Sequence, residues 1–164
     1  MTKICVFSDS HTCSENMLWV MTEELPEYVV YLGDGEQDMH KVAKQFPHTK
    51  VHFVRGNCDG ASSRPEVLRV TIDGKKIFAT HGHAFNVKTD SSYWELRCAA
   101  MEADADIVLF GHTHVPFKDR SLGMEVLNPG SIGVGKEPTY GLVTIDSGLV
   151  TTAIKHLTKS QGEA

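Results

Sequence analysis

The sequence predicts an α/β fold, a layered α-β-β-α sandwich of two mixed sheets flanked by helices. Three observations predict it. The first half alternates short apolar runs with segments of helical spacing, in the order strand–helix–strand–helix–strand, which requires a parallel sheet with helical crossovers. The second half changes to hairpin signals, the clearest being Asp73-Gly74 between two strand-like runs. With 164 residues, 41% hydrophobic and 23% charged, the chain suits one domain, 1–164, built on an apolar core.

Each element has its own warrant. Residues 3–8 read as a buried strand. Ser14 is placed to cap a helix running to about Leu25, with Met17, Met21 and Leu25 on one face and Pro26 beyond its end. Tyr28–Leu32 is a second apolar strand. Met39, Val42, Ala43 and Phe46, at spacings of three and four, mark a helix closed by Pro47, and Val51–Val54 is a third strand. Residues 67–72 and 75–80 form the hairpin. A helix is expected over 91–102, with Tyr93 and Trp94 packing it, and a buried strand over 107–110. The remainder, including 141–145 and 149–154 around Ser147-Gly148, reads as antiparallel hairpin material, and Lys159–Ala164 as a frayed tail.

Bulk properties exclude several functions. The formal charge is −5 with no basic cluster, so no nucleic-acid binding is evident. The apolar start is too short for a signal peptide, and no run approaches a membrane span. Cys5, Cys13, Cys58 and Cys98 form no CxxC and read as reduced thiols of a cytoplasmic protein.

The chemistry lies just after the strands. The successive strand ends run into Asp9-Ser-His11, Gly33-Asp34, Gly56-Asn57-Cys58-Asp59, His81-Gly-His83 and Gly111-His112-Thr-His114. In open α/β sheets ligands bind at the carboxyl ends of strands, so residues far apart in sequence converge there. Glycines at 33, 35, 56, 82 and 111 allow sharp turns beside that edge. Asp9, His11, Asp34, Asn57, His81, His112 and His114 are therefore expected in one cleft. Carboxylate, amide oxygen and imidazole suit Mn²⁺, Fe or Zn²⁺, and no thiolate set points to a structural zinc. Seven ligands exceed one ion and suit two with one carboxylate bridging. Such a pair holds a water or hydroxide and neutralises phosphate oxygens during in-line displacement.

Taken singly, each fragment has a bland explanation. Asp9 reads equally as a helix cap, Asp34 and Asn57 as turn residues, and His81 as a core histidine. Five of the nine histidines fall in these motifs, while His40, His48, His52 and His156 read as structural or surface. Lys118 and Arg120 read as a solvated loop, Arg55 as structural, and Asn128-Pro-Gly-Ser131 as a turn that borders the cleft.

As an ordered set these motifs resemble the calcineurin-like metallophosphoesterase superfamily, in particular its small single-domain bacterial and archaeal phosphodiesterases. The resemblance spans Asp9 to beyond Ser131. It implies Asp9, His11 and His114 on one ion, Asn57, His81 and His112 on the other, and Asp34 bridging. It also implies the two-sheet sandwich, Mn²⁺ as the favoured metal with Fe, Ni or Zn as substitutes, and homo-oligomers among related enzymes. Where the broader superfamily has Gly-Asn-His-Asp, this chain has Cys58, which the small subgroup shares. A thiol is neutral up to about pH 8.5 and a weak donor, so it does not replace an imidazolium. His83 is the substitute candidate for contacting phosphate or assisting the leaving group, and Asn57 and His83 are the catalytic candidates.

The expected function is metal-assisted hydrolysis of a small phosphate ester, a diester before a monoester. The monoester ranks second because the sequence offers no assured Arg or Lys above the metals. A non-catalytic scaffold, as in the retromer subunit built on this fold, or a metal-binding module is the rival outside enzymes.

Overall fold

The computed structural model describes residues 1–157; the expected tail at Lys159–Ala164 lies outside the described residues. The strands are β1 (Thr2–Phe7), β2 (Tyr28–Tyr31), β3 (Lys50–Phe53), β4 (Val67–Ile72), β5 (Lys75–Thr80), β6 (Ile107–Leu109), β7 (Phe117–Ser121), β8 (Met124–Asn128), β9 (Thr139–Asp146) and β10 (Leu149–His156). The helices are α1 (Glu15–Glu24), α2 (Glu36–Gln45) and α3 (Trp94–Glu102), with a 3-10 turn at His83–Phe85.

Two five-stranded sheets form, ordered β10-β9-β1-β2-β3 and β4-β5-β6-β8-β7. Both are mixed. β1, β2 and β3 run parallel, as do β5, β6 and β8, and the outer strands pair antiparallel. Strand alternation sorts the core into three layers. Ile4, Val6, Val30, Leu32, Ile77, Ala79, Ile107 and Leu109 fill the space between the sheets. The intervening Cys5, Phe7, Val29 and Tyr31 pack under Met17, Val20 and Met21 of α1 and Met39 and Val42 of α2. Phe78, Val108 and Phe110 pack under Leu96 and Ala100 of α3. A period of two in the strands thus feeds an inner and an outer layer at once. The α-β-β-α sandwich follows.

Several local expectations need correction. Leu25 does not join the buried face of α1. It sits in the left-handed region at φ 47° as the C-cap and is 72% exposed, so the chain turns out before Pro26. Ser14 precedes α1, but its side chain makes no cap hydrogen bond. The helix expected from residue 91 begins at Trp94, because Tyr93 takes a left-handed conformation, φ 54°. Tyr93 packs against Phe110 and Phe117, whereas Trp94 is 57% exposed. Lys118 and Arg120 lie on β7 rather than in a loop. The Lys118 ammonium donates to the Thr152 carbonyl and Arg120 pairs with Glu125. Among the described residues no helix is long and apolar enough to cross a membrane.

Candidate metal centre

The carboxyl ends of both parallel triplets meet at one edge of the sandwich. From the first sheet come the loops after β1, β2 and β3, bearing Asp9 and His11, Asp34, and Asn57 and Cys58. From the second come the loops after β5 and β6, bearing His81, His83, His112 and His114. Backbone bonds stitch them beyond the strands. The Asp9 N–H donates to the Gly33 carbonyl, and the Gly111 N–H to the His81 carbonyl.

Local conformation aims the side chains. Asp9, His11, Asp34, His112 and His114 all have positive φ, between 41° and 73°. That region costs a non-glycine residue roughly 1–2 kcal/mol, so the neighbours must hold each one in place. They do so with hydrogen bonds. The Ser8 hydroxyl and the His112 N–H donate to Asp9 Oδ2 at 2.5 and 3.1 Å, and the Ser131 hydroxyl donates to the Asp9 carbonyl at 2.8 Å. The Asn128 amide donates to the Gly111 carbonyl and Thr113 Oγ1, so this segment does border the cleft. Gly33 and Gly56 are needed because their loops abut: a Cβ on Gly33 would lie 2.7 Å from Gly56 Cα.

Two carboxylates face four imidazoles. Asp9 Oδ1 lies 3.6 Å from His11 Nε2, 3.7 Å from His81 Nε2 and 3.3 Å from His114 Nε2. Asp34 Oδ2 lies 3.8 Å from His11 Nε2 and 3.3 Å from His81 Nε2. His81 Nε2 and His112 Nδ1 are 3.1 Å apart. The ligand atoms of Asp9, His11 and His114 lie within 4.8 Å of one another, as do those of Asp34, His81 and His112, and those of His11, Asp34 and Cys58. His81 Nδ1 lies 2.7 Å from the Leu32 carbonyl, an acceptor that fixes the proton on Nδ1 and leaves the Nε2 lone pair toward the carboxylates. That bond also ties the second sheet to β2 of the first.

Titration reflects this crowding. Burial pushes the Asp34 carboxyl up, but the His81 ring and the Cys58 N–H outweigh it and hold it well below the usual carboxylate range. Burial disfavours the charged His81, yet Asp34 and Asp9 raise it. Burial, with the charges of His81 and Lys88, depresses His112 to about 4. Burial and the charges of Asp34, Asp59 and Asp9 push the Cys58 thiol up, so the residue beside the carboxylates is a neutral thiol.

Asn57 and His83 stand apart from the six clustered residues. The Asn57 side chain is exposed and its amide points toward Cys58 Sγ at 3.7 Å; no hydrogen bond among the described residues joins it to the other six. The His83 ring lies 5.6 Å from that of His81 and 6.2 Å from that of His112, with Nε2 3.5 Å from Glu66 Oε1. Glu66, missed in the sequence, also takes Arg55 at 2.9 Å. It lies immediately before β4, in the loop that follows the Gly56–Asp59 motif, and no spacing signal marks it.

The donor set fits divalent metal ions. Asp9 Oδ1 and His11 Nε2 are buried without a hydrogen-bond partner, directly facing each other's group. Hard oxygen and borderline nitrogen donors, two of the groups anionic and with no lysine or arginine among the described residues paired to either, make a site for cations.

The comparisons agree with this chemistry. The model of the calcineurin-like phosphoesterase superfamily domain matches residues 2–148. A probable metallophosphoesterase of Bacillus subtilis, YsnB, is 29% identical over 153 residues, covering 90% of this chain and 87% of that protein. The Escherichia coli phosphodiesterase YfcE is 27% identical over 175 residues, covering 89% of each. A solved Streptococcus pneumoniae structure, of a conserved uncharacterized protein described as a predicted phosphoesterase, superposes with TM-score 0.75 at 29% identity, covering 94% of this chain and 98% of that one. Vps29 of Entamoeba histolytica shares the fold alone, with TM-score 0.76 at 21% identity over 95% and 99% of the two chains. A donor set built at the strand ends of this sandwich and a family match over nearly the whole chain lead to one conclusion: the protein belongs to the calcineurin-like phosphoesterase superfamily.

Proposed function

We propose that the protein is a metal-dependent phosphodiesterase with a dinuclear centre. The observation that carries this reading is the pair of buried carboxylates, each facing imidazoles from both sheets. Asp9, His11 and His114 would hold one ion, and Asn57, His81 and His112 the other. Asp34 is the proposed bridge, since its Oδ2 faces His11 of the first group and His81 of the second. When bound, the ions, with Mn²⁺ the proposed metal, supply Lewis-acid charge and a hydroxide nucleophile.

The chain's own residues do the rest. His81, locked by Leu32, and Asp9, locked by Ser8 and Ser131, keep their ligand atoms aimed inward. His83 is the proposed group that contacts the phosphate or hands a proton to the leaving alcohol, and Glu66 orients its ring. Cys58 occupies the position beside Asp34 as a neutral thiol and supplies no strong acid. The substrate is a small phosphate diester. Four free thiols support a cytoplasmic setting, where thiols stay reduced.

The test is hydrolysis of bis-p-nitrophenyl phosphate by metal-stripped protein with Mn²⁺ restored, beside Asp34→Asn. Turnover that needs the metal and is lost in the variant supports the reading. Metal binding without turnover under Mn²⁺, Fe²⁺, Ni²⁺ or Zn²⁺ would instead favour a scaffold.

A further inference from the structure

Four backbone N–H groups end on one carboxylate that belongs to none of the ligand clusters. Asp59 Oδ2 accepts from the Asp34 N–H at 2.7 Å and the Gly56 N–H at 2.9 Å. Its Oδ1 accepts from the Gly35 N–H at 3.1 Å and the Glu36 N–H at 3.3 Å. Three of these donors are consecutive residues entering α2, where Gly33, Asp34 and Gly35 all have positive φ and the amides turn toward a common point. The cap residue Gly35 has no side chain to satisfy them. Such a convergence of amides at a helix start is an anion nest. Here the protein fills it with a carboxylate from another loop.

The bonding is reciprocal. Asp59, from the loop after β3, holds the loop after β2, and the Cys58 N–H donates back to Asp34 Oδ1 at 2.8 Å. Oδ1 of Asp34 is thereby tied down and Oδ2 is left facing His11 and His81. The two loops are therefore tied to each other, and the position of Asp34 depends on a group that touches neither histidine.

We propose that Asp59 is a positioning residue: its carboxylate fills the nest formed by the N–H groups of residues 34, 35, 36 and 56, and so sets where Asp34 and the Asn57 loop present their ligand atoms. The functional part rests on the reading of the cleft as a metal centre; the nest itself does not. Groups that orient ligands typically alter metal affinity about 10–100-fold when removed.

The experiment is Asp59→Ala, studied metal-free and with Mn²⁺, in sodium formate and in sodium chloride of equal ionic strength. The expected result is Mn²⁺ affinity, measured by electron paramagnetic resonance, about 10–100-fold below wild type in chloride and largely restored by formate. Formate should also raise the melting temperature of the metal-free variant and leave wild type unchanged, because the wild-type nest is already filled. Asp59→Asn, which fills the nest with an amide, should lose affinity and show no formate response. Unchanged Mn²⁺ affinity in Asp59→Ala, or no formate effect on its melting, overturns the proposal. If wild type itself binds no Mn²⁺, the metal-centre reading fails, and the formate response of metal-free Asp59→Ala alone decides the nest. Should Asp59→Ala fail to fold without formate and fold with it, the proposal stands. If it folds in neither salt, the affinity of Asp59→Asn decides, and a wild-type value overturns it.

Discussion

Gly56→Ala probes the contact on which the candidate site is built. A Cβ at Gly56 would stand 2.6 Å from the Asp34 N and 2.7 Å from Asp34 Cγ, where ordinary van der Waals contact begins at 3.4 Å. The nearest atom is Asp34 Oδ1, held by the Cys58 N–H, and backbone stands behind it, so turning the carboxylate alone does not relieve the clash. The two loops must separate by about 1 Å, which strains the bonds from Asp34 N to Asp59 and from Cys58 N to Asp34. Overpacking of this kind costs about 1–3 kcal/mol, and each weakened hydrogen bond about 1 kcal/mol more. A net loss of about 3–5 kcal/mol lowers Tm by about 6–20 °C in a chain of this size. Displacing a carboxylate by that distance should also cut turnover by about 10²-fold. Gly60→Ala is the control, since a Cβ there meets nothing within 4 Å although it lies in the same loop. The assay is a thermal melt of both variants in EDTA, followed by Mn²⁺ titration and diester hydrolysis. If Gly56→Ala melts with Gly60→Ala and turns over normally, the argument that the abutting loops fix Asp34 is wrong.

Three further outcomes are expected. Burial raises the Glu24 carboxyl, but hydrogen bonds from Lys155 at 2.9 Å, Tyr140 at 2.7 Å and Lys3 at 3.3 Å prevail and hold it below its ordinary value. A depressed acid contributes stability that is present above the unfolded carboxylate pKa of about 4.3 and lost as pH falls through the folded value, so urea melts of wild type and Glu24→Gln should differ by about 1–2 kcal/mol at pH 7 and converge in acid; parallel curves would contradict this. Lacking a strong acid at Cys58, the enzyme should hydrolyse aryl phosphodiesters faster as the leaving-group pKa falls, and His83→Ala should steepen that dependence; a flat dependence in both proteins removes the assigned role of His83. Cys5, fully buried, has its thiol pushed by burial up to about 12, so it should resist iodoacetamide until the protein unfolds while exposed Cys58 reacts in the native state; early labelling of Cys5 would be inconsistent with its place under α1.

Much of the molecule was legible in sequence because its signals are local. Alternating Ile4-Cys5-Val6-Phe7 fixes a strand with two buried faces, which only a layered sandwich satisfies. Asp73-Gly74 forces a hairpin whatever surrounds it, and β4 and β5 fall where it places them. The ligand candidates were legible for a related reason: each follows a strand directly, and strands that run parallel deliver their ends to one edge. The Leu25 and Tyr93 errors also have a local cause. Single residues in left-handed backbone end one helix and delay another, and neither residue type announces that conformation.

The sequence by itself determined which donors exist, that they sit at strand ends, and that the sheets must be covered on both outer faces. Only the tertiary structure decided how those donors face one another. His81 meets Leu32 across the two sheets, His83 is joined to Glu66 and Asp34 to Asp59, and Asn57 has its side chain at the surface. These pairings depend on how closely two loops or two sheets approach, a distance set by packing volume and by glycines at the contact. No periodicity along the chain encodes a separation between residues that meet only after the layers have closed.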